Sequence, residues 1–393
     1  MKRTKTGTKF FGMGMGVVVL VAAMIAMALP AAAAAKGPDD AGLKAGPKVT
    51  VMTRNVFLGA DLAPALNATT LDGAVNGGGV IWNEVLATNF PERAVPLAKE
   101  INDSGADLVG LQEVALWRQQ IPSDLAAPPT GIGAPATEVK YDFLALLMEQ
   151  LDALGGNYEV ANVQEEFDAE LPVDLDGSNA TGSPPFGAEL DGRLTMRDVI
   201  LRRKDSKVQV SDPQGANYTT KYTPVIGGAI PLPVKRGWTS VEAGLGGNNA
   251  DKRTFRFVNT HLEAFGDDTI REAQAKELFA AGGPLDTNEQ VVLVGDLNSG
   301  TEARDNIHGT DQLAYSALLG FGMHENGTVQ SCCYSSLFDP NDKFDHTVDH
   351  VMTKPALRTH DAYITGNDPS QRTPSGLWPS DHGGVVSTVQ IPK

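Results

Sequence analysis

The sequence predicts an α/β fold in which packed β-sheets are covered by outer helices, with a polar site along one rim. Three observations lead to this prediction: predicted strands outnumber helices, apolar and polar residues alternate along them, and polar side chains recur where strands end. The run VVLVGDLN at 291–298 shows the pattern, because Asp296 and Asn298 follow a strand and point to the same face. Taken alone, this run is also compatible with a strand followed by an Asx turn.

The predicted elements alternate along the chain. A first strand ends at Asn55, residues 90–106 have helical spacing, and DLVGLQEV is a strand that ends in Glu113. An amphipathic helix at 141–156 is followed by a strand at 157–163. Further strands are predicted at 197–203, 237–245, 254–265, 291–298, 346–353 and 383–391, and further helices at 269–283 and 311–320. Residues 119–138 and 164–192 have little apolar periodicity and are predicted to be surface insertions.

The first 35 residues have the organisation of a secretory signal peptide. Lysine and arginine residues precede an apolar run from Gly12 to Leu29, and an alanine tract behind it offers small-residue cleavage sites. A retained transmembrane anchor is the alternative, since the apolar run approaches spanning length. We predict a signal peptide at 1–35, a linker at 36–47 and one domain at 48–393. The mature protein is expected to be extracellular or periplasmic, without a transmembrane anchor.

The chain is acidic, with a formal net charge of −16. Cleavage would remove four cations and no acid, leaving −20. Such a surface repels polyanions, so strong non-specific binding to nucleic acids is disfavoured unless bound cations bridge the charges. This charge does not exclude a nuclease, but a nuclease with such an acidic surface would need bound cations.

The chain holds two cysteines, Cys332 and Cys333, which are adjacent. In an oxidising compartment they could form a vicinal disulfide, although neighbouring Cα atoms lie only about 3.8 Å apart. Two unbridged thiols in a loop are an equal alternative, so the sequence leaves the redox state open.

Polar side chains recur at six predicted strand ends. They are Asn55, Glu113, His261 with Asn259, Asp296 with Asn298, Asp349, and Asp381 with His382. A turn or a structural histidine would explain any one of them, but polar groups near a core are costly unless they have partners. Carboxylates and amides without cysteine ligands favour a hard cation such as Mg²⁺, Mn²⁺ or Ca²⁺. Two histidines near acids favour proton transfer and charge stabilisation on a phosphoryl oxygen, so metal-assisted phosphoester hydrolysis is predicted.

Six motifs, in their order, resemble those of the endonuclease/exonuclease/phosphatase superfamily. They are TRNVF, LQEV, NTHLEAF, GDLN, TVDHVM and WPSDHGGV. The superfamily includes pancreatic-type deoxyribonuclease, abasic-site endonucleases, neutral sphingomyelinases and inositol polyphosphate phosphatases. The resemblance spans residues 48–391 and implies a four-layer sandwich: two mixed, mostly antiparallel sheets packed face to face, with helices on the outside.

The resemblance also implies roles for individual residues at a metal centre. Glu113 would be the principal metal ligand, with Asn55 beside it and Asp381 near the same cation. Mg²⁺ is the expected ion, with Mn²⁺ or Ca²⁺ as alternatives. Asp296 and Asn298 would position or activate the attacking water and bind the phosphate.

The two histidines complete the implied site. His382, oriented by Asp349, would contact the scissile phosphate or act as the base. His261 would stabilise a phosphate oxygen or protonate the leaving group, and Asn259 beside it is predicted to contact substrate.

One departure from the superfamily pattern concerns the segment before the middle strand. Many nucleases have a tyrosine there, or an acid paired with the first histidine, whereas this chain reads DGRLTMRDVILRR. We expect Arg197 to clamp a phosphate and Asp198 to orient a side chain; a solvated surface ion pair is the alternative.

The function predicted from the sequence is a secreted phosphohydrolase that cuts a phosphodiester, most simply with nuclease-like activity. The first alternative is phospholipase C or sphingomyelinase-type cleavage of a phospholipid headgroup, for which an apolar hairpin at 223–234 could touch a membrane; a strand pair packed in the core is favoured for that segment. The second alternative is a non-catalytic binding module that uses the insertions. No stable protein partner is predicted.

Overall fold

The computed structural model describes residues 46–125, 133–178, 182–183, 185–246, 253–301 and 312–392. The predicted signal peptide, nearly all of the predicted linker and part of the insertion at 119–138 lie outside these residues. Among the helices that the model describes, none is long and apolar enough to cross a membrane.

The described residues form sixteen strands. They are β1 Lys48–Asn55, β2 Leu108–Gln112, β3 Leu116–Gln120, β4 Glu138–Asp142, β5 Tyr158–Val173, β6 Leu190–Arg203, β7 Gln209–Asn217, β8 Val225–Ile226, β9 Ile230–Pro231, β10 Gly237–Leu245, β11 Arg253–His261, β12 Gln290–Asp296, β13 His324–Glu325, β14 Asp349–Lys354, β15 Arg358–Thr365 and β16 Gly384–Gln390. The helices are α1 Ala63–Leu66, α2 Leu71–Ala87, α3 Phe90–Ser104, α4 Phe143–Ala153, α5 Asp268–Phe279 and α6 Leu313–Phe321, with a 3₁₀ helix at Pro369–Gln371.

The strands form two large sheets. The first has the order β15-β16-β1-β2-β6-β3-β4, and β5 pairs with β6 as an eighth strand; the second has the order β13-β14-β12-β11-β10-β7. In each sheet one pair is parallel, β1 with β2 and β11 with β12, and the other pairs are antiparallel. Both sheets are therefore mixed and mostly antiparallel, as predicted.

The sheets pack face to face because alternate strand residues are apolar. Val49 and Val51 of the first sheet share a buried cluster with Phe257, Val292 and Val294 of the second sheet. On the outer faces, further buried clusters join the first sheet to α1 to α4 and the second sheet to α5 and α6. The predicted four-layer sandwich is confirmed.

One close approach between the sheets lies directly below the candidate site. Asn259 of β11 donates to the carbonyl oxygens of Leu111, at 3.0 Å, and Val199, at 3.3 Å, and its Oδ1 accepts from Gln112 at 2.6 Å. A Cβ on Gly110 would lie 2.6 Å from that Oδ1, so only glycine fits there. Asn259 is fully buried and joins the two sheets, which corrects the predicted substrate contact.

Candidate active site

The strand pairing brings the predicted site residues to one rim. The parallel strands β1 and β2 end together at Asn55 and Gln112, and the parallel strands β11 and β12 end together at His261 and Asp296. The antiparallel partner of β12 begins at Asp349, directly opposite Asp296. Side chains far apart in sequence converge here because both parallel pairs end at the same edge of the sandwich.

Asp296 lies at the centre of the site. Its Oδ2 accepts from the Asn55 amide at 3.0 Å, and its Oδ1 accepts from the backbone N–H of Asn298 at 2.8 Å. The same Oδ2 lies 3.5 Å from Nε2 of His261 and 3.8 Å from Nε2 of His382. Burial raises the pKa of Asp296 to about 7, although the His382 charge opposes this shift.

His382 is held by an acid on its far side. Its Nδ1 donates to Oδ2 of Asp349 at 2.9 Å, which directs Nε2 towards Asp296. Burial alone would lower the pKa of His382, but the carboxylates of Asp349, Asp381 and Asp296 outweigh burial and raise it well above the usual value. The imidazole is therefore strongly basic in the metal-free site.

Two more carboxylates form the other side of the site. Glu113 follows β2 with φ of 60°, a left-handed conformation that is strained for a residue other than glycine and that occurs mainly at functional sites. Its Oε2 accepts from the Leu58 N–H at 2.7 Å. Burial and the Asp381 charge raise the pKa of Glu113, and burial also raises that of Asp381.

These donors fit a hard divalent cation. Glu113 and Asp381 offer carboxylate oxygens, and Oδ1 of Asn55, which accepts from the Phe57 N–H at 2.9 Å, keeps a second lone pair. A bound cation would favour the ionised form of both acids, which burial disfavours. The predicted metal ligands are thus close together and chemically suited to the role.

His261 is oriented by a cation, not by an acid. Nη1 of Arg236 lies 3.0 Å from Nδ1 of His261, and because a guanidinium can only donate, Nδ1 must carry the lone pair. The proton of the neutral ring is then on Nε2, which faces the site. The side-chain amide of Asn298 lies 3.1 Å from Nε2 and accepts this proton when its oxygen is turned towards the ring, whereas the guanidinium has no acceptor atom. Burial and the Arg236 charge hold the pKa of His261 well below its usual range. His261 is thus a neutral hydrogen-bond donor, which favours the first of its two predicted roles, stabilisation of a phosphate oxygen.

Behind Arg236 lies a buried acidic network that the sequence did not reveal. Nε of Arg236 is 3.7 Å from Oε1 of Glu263, and the Arg236 charge also acts on Glu166 and Asp198. Burial, together with mutual repulsion of the pair, raises the pKa of Asp198 well above its usual value; that of Glu166 is raised to about 8, with burial the main cause. Both shifts favour the protonated form of these two coupled carboxyl groups near neutral pH.

Arg197 supports the loop that carries Glu113. Its guanidinium donates to the carbonyl oxygens of Val114, at 3.0 Å, and Ala115, at 3.3 Å, and to Asp142 at 2.6 Å. These bonds to protein acceptors correct the expectation of a phosphate clamp, and they also correct the alternative of a solvated pair, because Arg197 is buried. Its bonds hold the loop that carries Glu113 in place.

A second positioning arginine was missed. Arg93 of α3 donates to the carbonyl oxygens of Val56 and Pro379, both at 2.8 Å, and so joins the end of β1 to the segment that carries Asp381. Burial lowers the pKa of Arg93 to about 9. A signal was present in the sequence, since Arg93 lies on the apolar face of a predicted helix, where a charged residue needs a partner.

The chain belongs to the endonuclease/exonuclease/phosphatase family, whose model matches residues 75–382. Members of this family are phosphoester hydrolases and generally depend on divalent metals. No curated protein matches the sequence significantly.

Solved structures that are similar to this chain come from several organisms. An endonuclease/exonuclease/phosphatase family protein from Bacteroides thetaiotaomicron is 14% identical, with 88% of this chain and 98% of that chain covered and a TM-score of 0.49. A mannosyl-6-phosphatase from the same species is 16% identical, with coverage of 87% and 100% and a TM-score of 0.45. Truncated TDP2 from Caenorhabditis elegans is 15% identical, with coverage of 88% and 98% and a TM-score of 0.42.

Proposed function

We propose that this protein is an exported, divalent-metal-dependent phosphodiesterase with nuclease-like activity. The observation that carries the proposal is the position of Asp296, a buried carboxylate between two histidines and beside the Asn55 amide. The signal-like N-terminus supports export, and the set of oxygen donors supports a hard cation, with Mg²⁺ preferred.

The proposed reaction is direct attack of water on phosphorus. Glu113, Asp381 and Asn55 would hold the cation, which supplies positive charge to the phosphoryl oxygens when bound. Asp296, held by the Asn55 amide and the Asn298 N–H, orients the water and accepts its proton. The Nε2–H of His261 donates to a non-bridging oxygen, where negative charge develops.

His382 completes the arrangement from the opposite side. Asp349 fixes the ring, so a protonated Nε2 faces the phosphate and can donate to the departing oxygen. No covalent intermediate is needed, because water is the nucleophile and a carboxylate accepts its proton.

A second candidate, phospholipase C-type cleavage, is favoured by a cleft beside Asp381. The cleft is lined by the aromatic side chains of Phe57, Tyr334 and Phe338 together with Asp61 and Glu84. Aromatic faces and carboxylates suit a cationic headgroup such as a quaternary ammonium, and they disfavour a polyanion. The 223–234 hairpin packs Ile226, Leu232 and Val234 into the core and exposes Val225.

Asp296→Asn separates an enzyme from a binding module. We expect turnover of bis-p-nitrophenyl phosphate with Mg²⁺ or Mn²⁺ to fall at least about 10²-fold in this variant, because the water loses its proton acceptor. Asp103→Asn, an exposed carboxylate on α3, is the matched control and should leave turnover unchanged. Chelator should abolish activity. Folded Asp296→Asn protein with full turnover would refute the proposed mechanism.

The ranking of substrates then chooses between the two candidates. Preference for bis-p-nitrophenyl phosphate and oligonucleotides over p-nitrophenyl phosphorylcholine supports nuclease-like activity, and the reverse preference supports headgroup cleavage. p-Nitrophenyl phosphate tests for a monoesterase. No turnover of any substrate with any metal would favour the non-catalytic binding module.

A further inference from the structure

Four soft ligand groups meet at the edge of the candidate active site. Cys332 and Cys333 are joined by a disulfide, and their Sγ atoms lie 3.6 Å and 3.7 Å from Nε2 of His382. Sγ of Cys333 also lies 3.9 Å from Nε2 of His346. Sγ of Cys333 thus lies close to Nε2 of both imidazoles, and one of these imidazoles belongs to the proposed catalytic machinery.

Both imidazoles are turned so that Nε2 faces the sulfur atoms. Nδ1 of His346 donates to Asp345 at 2.7 Å, and Nδ1 of His382 donates to Asp349 at 2.9 Å. An antiparallel bridge between Cys332 and His346 fixes the backbone on this side. A carboxylate behind each histidine is the usual support of a metal-binding imidazole, because it fixes the ring and leaves the Nε2 lone pair for the metal.

We propose that reduction of the Cys332–Cys333 disulfide creates a Zn²⁺ site, formed by both thiolates with His346 and His382, that withdraws His382 from catalysis. Tetrahedral zinc with bonds of about 2.0–2.3 Å places its ligand atoms about 3.3–3.8 Å apart. The separations of 3.6, 3.7 and 3.9 Å between sulfur and nitrogen are close to this range. Breaking the disulfide frees the two sulfur atoms to move apart, and both already lie within 4.8 Å of a ring nitrogen of His346.

The site differs in chemistry from the proposed Mg²⁺ centre. Two thiolates and two imidazoles select zinc or similar borderline and soft metals, whereas the carboxylate and amide oxygens of the neighbouring centre select hard cations. A dithiol reductant supplies two electrons and two protons: its own thiols become a disulfide, and the Cys332–Cys333 bond breaks to give two thiols. Zn²⁺ then displaces both thiol protons and the Nε2 proton of His382 to solvent. Oxidation reverses these steps and frees His382.

Co²⁺ in place of Zn²⁺ tests the site without relying on turnover. The full chain is prepared with the disulfide intact and, separately, reduced with a dithiol and desalted without oxygen. We expect a thiolate-to-cobalt charge-transfer band that saturates at one equivalent in the reduced protein only, and that Zn²⁺ removes. His346→Gln and Cys333→Ser should each weaken Co²⁺ binding at least about 10-fold. A reduced protein without the band would overturn the proposal, as would a band unchanged in both variants.

The functional half of the inference rests on the proposed function. With Mg²⁺ in excess, one equivalent of Zn²⁺ should lower diesterase turnover at least about 10-fold in the reduced protein and leave the oxidised protein and reduced His346→Gln unaffected. Zinc inhibition that is equal in all three would show binding at the hard-cation centre and overturn capture of His382. If no form turns over any substrate, the proposed function fails, while the cobalt band still decides whether the site exists.

Discussion

The chemistry of the candidate site depends on which nitrogen of His261 carries the proton. Arg236 occupies the place where the superfamily pattern led us to expect an acid, and it donates to Nδ1. An acid would stabilise the charged ring and make it a proton donor, whereas Arg236 keeps the ring neutral with Nε2–H directed at the site. The sequence could not show this contact, because Arg236 precedes β10 and lies twenty-five residues from His261, at the end of β11.

We expect His261 to be the Nε2–H tautomer and not to titrate near neutral pH. Its pKa is lowered by burial and by the Arg236 charge, so the ring stays neutral from about pH 6 to 9. Long-range ¹H–¹⁵N spectra of histidine-labelled protein would report the protonated nitrogen, and His261→Gln would identify the signals. A Nδ1–H tautomer, or a titration in this range, would contradict the assigned geometry.

The buried acids behind Arg236 predict a pH-dependent stability. The folded pKa of Glu166 is about 8 against an ordinary value of 4.5, so its contribution to stability is complete below pH 4.5 and is lost as the pH rises towards 8. The glutamine of Glu166→Gln needs no proton, so its folding does not depend on pH in this way. The free energy of unfolding of Glu166→Gln, relative to that of the parent protein, should therefore be about 1–3 kcal/mol higher at pH 8 than at pH 5.

Urea unfolding of both proteins across that pH range measures the effect. Glu165→Gln is the control, since Glu165 lies on the same strand but is exposed, and it should keep the parent slope. If the unfolding free energy of Glu166→Gln depends on pH as that of the parent protein does, Glu166 does not have the raised pKa.

At the level of the elements, strands were easier to predict than the helices that depend on tertiary contacts. The strand that ends at Asn55 and the helix α3 follow from apolar periodicity. Helix α2 was missed because Gly77, Gly78 and Gly79 are poor helix formers. The structure explains these glycines: a Cβ at Gly77 would lie 2.5 Å from the Pro64 oxygen, and one at Gly79 would clash with Asp174.

The prediction of a surface insertion at 164–192 was wrong for residues 164–173 and 190–192, which lie in strands β5 and β6. Residues up to 173 continue strand β5, which pairs with β6 along its length. The polar residues of this segment made the strand hard to predict, since many of them face solvent. Glu166 and Glu170, in contrast, are buried, although a prediction from apolar periodicity counts acids as exposed. Burial of acids is a tertiary property, and a local pattern does not reveal it.

Two glycines should respond oppositely to alanine. At Gly110 a Cβ would lie 2.5 Å from Val294 and 2.6 Å from Asn259, so Gly110→Ala should lower the free energy of unfolding by about 1–3 kcal/mol. Gly320 lies within α6 with no atom within 4 Å of its added Cβ, so Gly320→Ala should raise it by about 0.5–1 kcal/mol. Chemical denaturation measures both. Equal effects would show that the sheets do not meet closely at Gly110.

For the whole molecule, motif order was sufficient to predict the sandwich and the rim that carries the site. Every implied metal ligand and both histidines lie at that rim. In this acidic chain of net charge −16, the motifs did not predict which buried arginines lie beside the carboxylates of the site. The Arg236 charge lowers the pKa of Glu113 and the Arg93 charge lowers that of Asp381, but burial outweighs both charges and leaves the two pKa values raised.

The raised pKa of Glu113 predicts that Glu113→Gln has opposite effects on thermal stability without and with metal. Because burial and Asp381 raise the pKa of Glu113, its ionised form costs stability in the metal-free protein, and Glu113→Gln should raise the melting temperature there. In the parent protein, Mg²⁺ or Mn²⁺ at about 100 times its dissociation constant should stabilise the fold by about 2.7 kcal/mol. Glu113→Gln should lose most of this gain, so the two melting curves exchange order as metal is added. Asp103→Asn should follow the parent protein throughout. Equal metal-induced shifts in the parent protein and Glu113→Gln would place the cation elsewhere and remove Glu113 from the proposed centre.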